Sequence, residues 1–338
     1  MTRVGIIGRG WGERAQAPNF RDAGLEIAGI VGHDAWRPIL ASSDVVTIVT
    51  PPATHVEIAT AALEAGKHVI CEKPTALNAA DAEKLLAVAR AHPKQIAIID
   101  HELRFLPSFR AARERIRDLG DIRYAEVRYA SPSRGDRSRP WNWWSDASQG
   151  GGVWGAVGSH FIDALRYLGL EIEEVQAMLA TIIDERSGRK VTSDDFAAVH
   201  LRLSGGRTAE GGCRPLAAMT FSAVASGPDE PTALTIHGEN GSLRLTGEEL
   251  LFAKPKSNFE RIAGGDISNR PGNSSGGAFG TGTYQLGLAL KRALDDGDRD
   301  ALAPAAAFAD GLAQQKVLDA ARHSHREGGR WVKITGST

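Results

Sequence analysis

At 338 residues the chain is long enough for two domains. Hydrophobic residues at 42% and charged residues at 24% exclude a disordered chain. A net charge of −1 argues against nucleic acid as a partner, and no apolar run is long enough to span a bilayer.

The first residues, MTRVGIIGRGWG, read as structure rather than as a charged and then apolar leader. Arg3 to Ile7 is a β-branched run that ends in Gly8-Arg9-Gly10-Trp11-Gly12. A helix from about Glu13 to Ala23 follows, and Pro18 should kink it or shift its start. Leu25 to Val31, Val45 to Val49, His68 to Cys71 and Gln95 to Ile99 have strand length, with helical periods at Thr54 to Ala65 and Ala80 to Ala91. Strands alternating with helices imply a parallel sheet covered on both faces.

After about Gly120 the pattern changes to successive strands. They run over 122–130, 175–183, 196–203, 217–225, 233–237 and 242–245, with turns at Ser204-Gly205-Gly206 and Glu239-Asn240-Gly241. A helix is expected at Ser159 to Leu168. This is the signature of an α+β domain with an open, mostly antiparallel sheet. Arg261 to Gly282, rich in Gly, Ser and Asn, reads as a loop, and helices at Tyr284 to Leu294 and Ala305 to Ser324 close the chain. The expected division is 1–119 and 120–338, with the C-terminal helices able to pack back on the first domain.

Glycines at a strand-to-helix turn let the backbone approach a pyrophosphate, whose charge then rests on the helix N-terminus. Residues 8 to 12 hold that place, although the third position of the usual GxGxxG pattern is Glu13, with Gly12 beside it. An acidic residue at the end of the second strand ordinarily binds the adenosine ribose. Here Gly32-His33 stands in that place, and Asp34 comes two residues late. Loss of the carboxylate removes a repulsion against a 2′-phosphate, which tilts the expectation from NAD toward NADP; His33 either helps bind that phosphate or is a solvated loop residue. Only thirteen residues, 32 to 44, join the second strand to the third. One crossover needs about a dozen, so an edge strand and its helix should be missing.

Ligands in such sheets bind beyond the carboxyl ends of the strands. Three segments end there: Thr50-Pro51-Pro52, Glu72-Lys73-Pro74, and Asp100 to Arg104. Thr54-His55-Val56-Glu57 reads as a capping box, with His55 either reaching the cofactor or packing beside the cap. Lys73 at a strand end over a crevice could hold a substrate oxygen by charge or act as a partly desolvated acid or base. Glycines 150 to 158 approach a helix and place His160 in its opening turn, where an imidazole suits general acid–base work. Asp163 lies on the same helix face and could orient it. Arg134, Arg137 and Arg139 precede Trp141, Trp143 and Trp144; aromatic faces suit sugar rings, and packing explains the same pattern, at least for two of the three. The cysteines, Cys71 and Cys213, show neither CxxC spacing nor a disulfide framework, which fits a reducing cytoplasm without a metal site.

In combination these segments resemble the Gfo/Idh/MocA family, which includes glucose–fructose oxidoreductase and inositol dehydrogenase. The match covers nearly the whole chain: VGIIGRGWG, IVTPPATHVEIATAALEAGKHVICEKP, RFLP at 104 to 107, GGGVWGAVGSHFIDALRYL, GENGSLRL at 238 to 245 and FADGLAQQKVLDAAR. The resemblance implies a Rossmann domain joined to an open sheet often used in homodimers or homotetramers. It implies NAD or NADP, and sugar, cyclitol or polyol substrates. Glu72-Lys73-Pro74 matches the family's EKP motif, with its lysine near nicotinamide and substrate, and His160 matches the catalytic histidine. Arg104 and Tyr284 fall near the implied site. The aspartate that many members carry four residues before the histidine is Ala156 here. The implied activity is an NAD(P)-dependent dehydrogenase or reductase on CH–OH groups, against a redox-neutral lyase or epimerase with tightly held NAD, or a binding homologue without chemistry.

Overall fold

A computed structural model describes residues 1–204, 214–227, 231–264 and 277–335. Strand β1 (Arg3–Ile7) leads through the glycine turn into a π-helical turn, Gly12–Gln16, and then α1 (Ala17–Asp22). The π-turn is where Pro18 makes itself felt. Pro18 has no N–H to give to the preceding turn, and the Ala17 N–H bonds back to the Gly12 carbonyl, five residues away. β2 (Glu26–Val31), α2 (Ile39–Ser42), β3 (Val45–Ile48), α3 (His55–Glu64), β4 (His68–Cys71), α4 (Ala79–Ala91) and β5 (Ala97–Ile99) follow in alternation.

The short crossover behaves as its length requires. Among the described residues β2 is an edge strand, with no strand beyond it, and the only helix in the connection is the four-residue α2. Two glycines make room for it. A Cβ on Gly5 would lie 2.2 Å from Ser43 Oγ, and one on Gly29 would lie 2.8 Å from Ile39 Cδ1. Ile39 and Trp36 are therefore buried in a core with Ile7, Ile48, Ile58, Leu63 and Leu85. Burial of a side chain such as Ile39 contributes about 1.5–3 kcal/mol. The capping box at Thr54 is not formed: its hydroxyl hydrogen-bonds with the Pro51 carbonyl and Thr50 Oγ1 instead of closing the helix start.

The chain continues with α5 (Pro107–Arg115), β6 (Ile122–Ala130), a second π-helical turn at Trp154–Gly158 and α6 (Ser159–Tyr167). Then come β7 (Glu171–Ala180), the small hairpin β8 (Glu185–Arg186) and β9 (Arg189–Lys190), β10 (Phe196–Ser204), β11 (Leu216–Ser222), β12 (Ala233–Gly238), β13 (Ser242–Thr246), β14 (Glu249–Ala253) and β15 (Glu260–Gly264). The last elements are α7 (Gly277–Asp295), β16 (Ala306–Ala307), α8 (Phe308–Arg326) and β17 (Val332–Lys333). The loop expected over 261–282 is thus bounded differently: 261–264 belong to β15, helix starts at 277, and 265–276 lie outside the described residues, as do Gly205, Gly206 and Cys213.

The first sheet has the order β16-β5-β4-β3-β1-β2, parallel except for β16, which pairs antiparallel with β5. The second has the order β15-β14-β13-β12-β6-β11-β10-β7-β17, antiparallel except for β6 with β11. By contact the chain divides into Met1–Leu106 with Asp266–Gln315, and Pro107–Gly265 with Lys316–Thr338. The boundary comes at 106/107 rather than 119/120 because α5 packs on β13, β14 and β15. In the second unit Trp154 and Phe161 each lie 5.9 Å, ring to ring, from Phe221, so α6 and its approach cover one face of the sheet. Alternation along β6 and β11 leaves Tyr124 and Leu216 exposed. No helix of the described residues is long and apolar enough to cross a membrane.

Candidate functional site

In the first unit the carboxyl ends of five strands stand side by side. The Gly8 N–H bonds to the Val31 carbonyl at 2.8 Å, Val49 N–H to Ile7 at 2.7 Å, Glu72 N–H to Ile48 at 2.9 Å and Asp100 N–H to Cys71 at 2.7 Å. The three loop glycines do different work. Gly8 has φ +119°, and a Cβ there would meet the Val49 carbonyl oxygen at 2.4 Å. A Cβ on Gly12 would meet Ile6 Cγ2 at 2.7 Å, so this glycine lets the helix close on the strand. Gly10 is exposed, and its Cβ would meet nothing within 4 Å. Packing thus requires the outer two glycines, and the middle one faces open space where a pyrophosphate would sit. The residues present fit a dinucleotide. Arg9 is exposed and near Glu13, and Trp11 is half-buried.

Thr50, Pro51 and Pro52 lie at the end of β3 as expected, with Thr50 buried. His55 has a different part. It is fully buried, with Nε2 2.9 Å from the Thr50 carbonyl and Nδ1 3.1 Å and 3.3 Å from those of Pro74 and Thr75. Burial lowers its pKa while those carbonyls pull it back up. Both ring nitrogens are engaged by these carbonyls, so neither is left to offer a cofactor, and His55 braces the Glu72-Lys73-Pro74 turn.

Beneath that turn lies an acidic cluster that the sequence reading did not assemble. Gln16, Glu72, Asp100 and Glu102 are all buried. Gln16 Nε2 donates to Glu72 Oε1 at 3.2 Å and to Asp100 Oδ2 at 2.7 Å, while its Oε1 accepts from Thr47 at 2.6 Å. Burial first, then mutual repulsion, pushes Asp100 and Glu102 well above the carboxylate range; burial also raises Glu72, against the opposing pull of Lys73. All three carboxyls are thus pushed toward the protonated form, and Glu72 Oε2 accepts the backbone N–H of the half-buried Lys73 at 3.3 Å. The π-turn places Gln16 in this cluster.

Arg104, expected to meet substrate, is instead buried and ion-paired with Asp310 at 3.3 Å. An arginine so engaged holds the start of α8 rather than a ligand. Tyr284 is half-buried on α7, a helix whose Gly282 abuts the Glu102 carbonyl.

In the second unit His160 and Asp163 are both buried on α6. Glycines in the approach serve packing. A Cβ on Gly151 would lie 2.5 Å from the Trp144 carbonyl oxygen, one on Gly152 2.4 Å from Asp194 Oδ1, and one on Gly158 2.3 Å from the Trp154 ring. Asp194 escaped the sequence reading. Its Oδ2 accepts the Trp154 N–H at 2.7 Å, and its own carbonyl accepts Val153 at 2.8 Å. Burial pushes its carboxyl up to about 6. It supplies a carboxylate at the start of the helical segment on which position 156 is alanine. Trp141 lies under Arg189 and Trp144 under Arg134, the packing use; Trp143 is half-buried against Trp144.

Comparison with known proteins points one way. A model described as an oxidoreductase family with an NAD-binding Rossmann fold matches residues 36–100, and one for the GFO/IDH/MocA C-terminal domain matches 109–244. Glucose-fructose oxidoreductase domain-containing protein 2 of Xenopus laevis is 30% identical over 374 residues, covering 99% of this chain and 94% of that protein. An oxidoreductase domain protein from Kribbella flavida superposes with a TM-score of 0.82 at 27% identity, covering 99% of this chain and 100% of that one. Levoglucosan dehydrogenase in complex with NADH and levoglucosan has a TM-score of 0.83 at 24% identity, with 99% and 100% covered, a likeness of fold. This chain belongs to the Gfo/Idh/MocA family of NAD-binding Rossmann oxidoreductases.

Proposed function

We propose that the protein is a nicotinamide-dependent oxidoreductase acting on a secondary alcohol of a sugar, cyclitol or related polyol, or on the matching ketone. The observation that carries this reading is the glycine turn. Its outer glycines are demanded by packing and its middle one is open, beside strand ends that present Lys73. The solved relative with levoglucosan bound supports the substrate class.

Nicotinamide, when bound, supplies the hydride acceptor or donor. Lys73 holds the substrate oxygen by its ammonium charge and polarises it. His160 takes the hydroxyl proton as the carbonyl forms and returns it in the opposite direction. Glu72 accepts the Lys73 backbone N–H and so braces the turn that carries the lysine. Thr50, Pro51 and Pro52 form the floor at the end of β3, and Trp143, Asp163 and Tyr284 are assigned to the substrate side.

The Lys73→Met variant tests this. Turnover on the best substrate from a panel of sugars, polyols and cyclitols should fall by about 100-fold or more. The thermal shift with NAD⁺, about 2.7 kcal/mol at 100 times the dissociation constant, should persist. Unchanged turnover would remove Lys73 from the reaction.

A further inference from the structure

The end of β2 decides which dinucleotide a Rossmann half accepts, because a side chain there meets the adenosine ribose. This end is tied to the glycine turn by the bond from Gly8 N–H to the Val31 carbonyl. The next residue, Gly32, has no side chain to offer. The space is not empty, however. A Cβ built on Gly32 would lie 2.6 Å from Asp34 Oδ1. The turn that follows, closed by Ala35 N–H to the Gly32 carbonyl at 3.3 Å, reverses the chain and folds the Asp34 carboxyl back over Gly32. Asp34 is exposed there.

Of the neighbouring arginines, Arg37 is held by close partners, while Arg9 is exposed. Arg37 lies 4.4 Å over the Trp36 ring and pairs with Glu57 at 2.9 Å, and Arg9 lies 4.0 Å from Glu13. A 2′-phosphate at this corner would face the Asp34 carboxylate, with His33, exposed on the same turn, as its support.

We infer that Asp34 supplies, from two residues downstream, the carboxylate that reads the adenosine ribose, so that the chain selects NAD over NADP, and that Gly32 is glycine to leave room for it. This rests on the dinucleotide reading above. It reverses the tilt toward NADP drawn from the sequence, where Gly32-His33 looked like a lost acid.

The test is calorimetric and thermal-shift titration of the purified protein with NAD⁺ and NADP⁺, independent of turnover. Wild type should bind NAD⁺ at least about tenfold tighter, about 1.4 kcal/mol. Asp34→Asn should weaken NAD⁺, strengthen NADP⁺ and shrink that preference by about tenfold, with an unchanged melting temperature in the absence of nucleotide. The double variant Gly32→Asp/Asp34→Gly, which moves the acid to the strand end, should restore the preference for NAD⁺. Equal binding of the two nucleotides by wild type, or a ratio untouched by Asp34→Asn, overturns the assignment of Asp34 and leaves the dinucleotide reading standing. Binding of neither nucleotide by wild type overturns both.

Discussion

Two glycine-rich stretches lead into helices in this chain, and they solve opposite problems. At residues 8 to 12 the outer glycines meet protein and the middle one faces open space. At 151, 152 and 158 every added Cβ would run into a carbonyl, a carboxylate or an indole ring. Both stretches enter a π-helical turn, Gly12–Gln16 and Trp154–Gly158. One leaves the space beside its middle glycine open; the other is closed by its own side chains. Glycine in a sequence reports only that a Cβ is unwelcome. What occupies its place is the informative part.

That contrast can be broken by substitution. Gly158→Ala should have the largest effect, because its Cβ meets the fully buried Trp154 ring at 2.3 Å. Overpacking of this kind costs about 1–3 kcal/mol, so denaturant midpoints should fall while any nucleotide-induced shift remains. A wild-type midpoint would show that the second stretch is not tightly closed.

The carboxylate that helps close it provides a pH test. The Asp194 carboxyl is raised from the ordinary 3.8 to about 6, mainly by burial. Between those values the folded state holds a proton that the unfolded chain has released, so this group stabilises the fold below about pH 4 and that stability is lost as pH rises through about 6. Asp194→Asn cannot ionise. Its stability relative to wild type should therefore rise between pH 4 and pH 7, by up to about 3 kcal/mol at 1.4 kcal/mol per pKa unit. Glu72, Asp100 and Glu102 titrate in both proteins and cancel. Parallel denaturation curves across that range would mean Asp194 is well solvated.

The smallest change in stability belongs to Gly10→Ala. With nothing within 4 Å of the new methyl, stability should stay within about 0.5 kcal/mol. NAD⁺ affinity should nonetheless drop about tenfold, because the methyl stands where the pyrophosphate approaches. Unaltered affinity would move the ligand away from this turn.

The alternation of strand and helix from Arg3 to Ile99 was legible because periodicity is local, and so was the thirteen-residue crossover that leaves β2 at an edge. Helix α5 was missed because its PSFRAARER sequence is strongly polar; β16, at two residues, is too short to leave a pattern. Within the site, Glu72-Lys73-Pro74 stood out at a strand end. Gln16 did not, because its reach to Glu72 and Asp100 depends on the π-turn. Arg104 and His55 looked available from their neighbours in sequence, and both are buried, Arg104 against Asp310 and His55 among the Thr50, Pro74 and Thr75 carbonyls.

Sequence alone determined the βα alternation, the glycine turn, the shortened crossover and the Lys73 and His160 candidates, because each is written in spacing over a few residues. Only the tertiary structure decided which glycines are filled and which are open, where the Asp34 and Asp194 carboxylates point, and that three acids share one buried cluster. Those outcomes depend on which residues distant in sequence come within hydrogen-bonding range, and on how much water is excluded when they do.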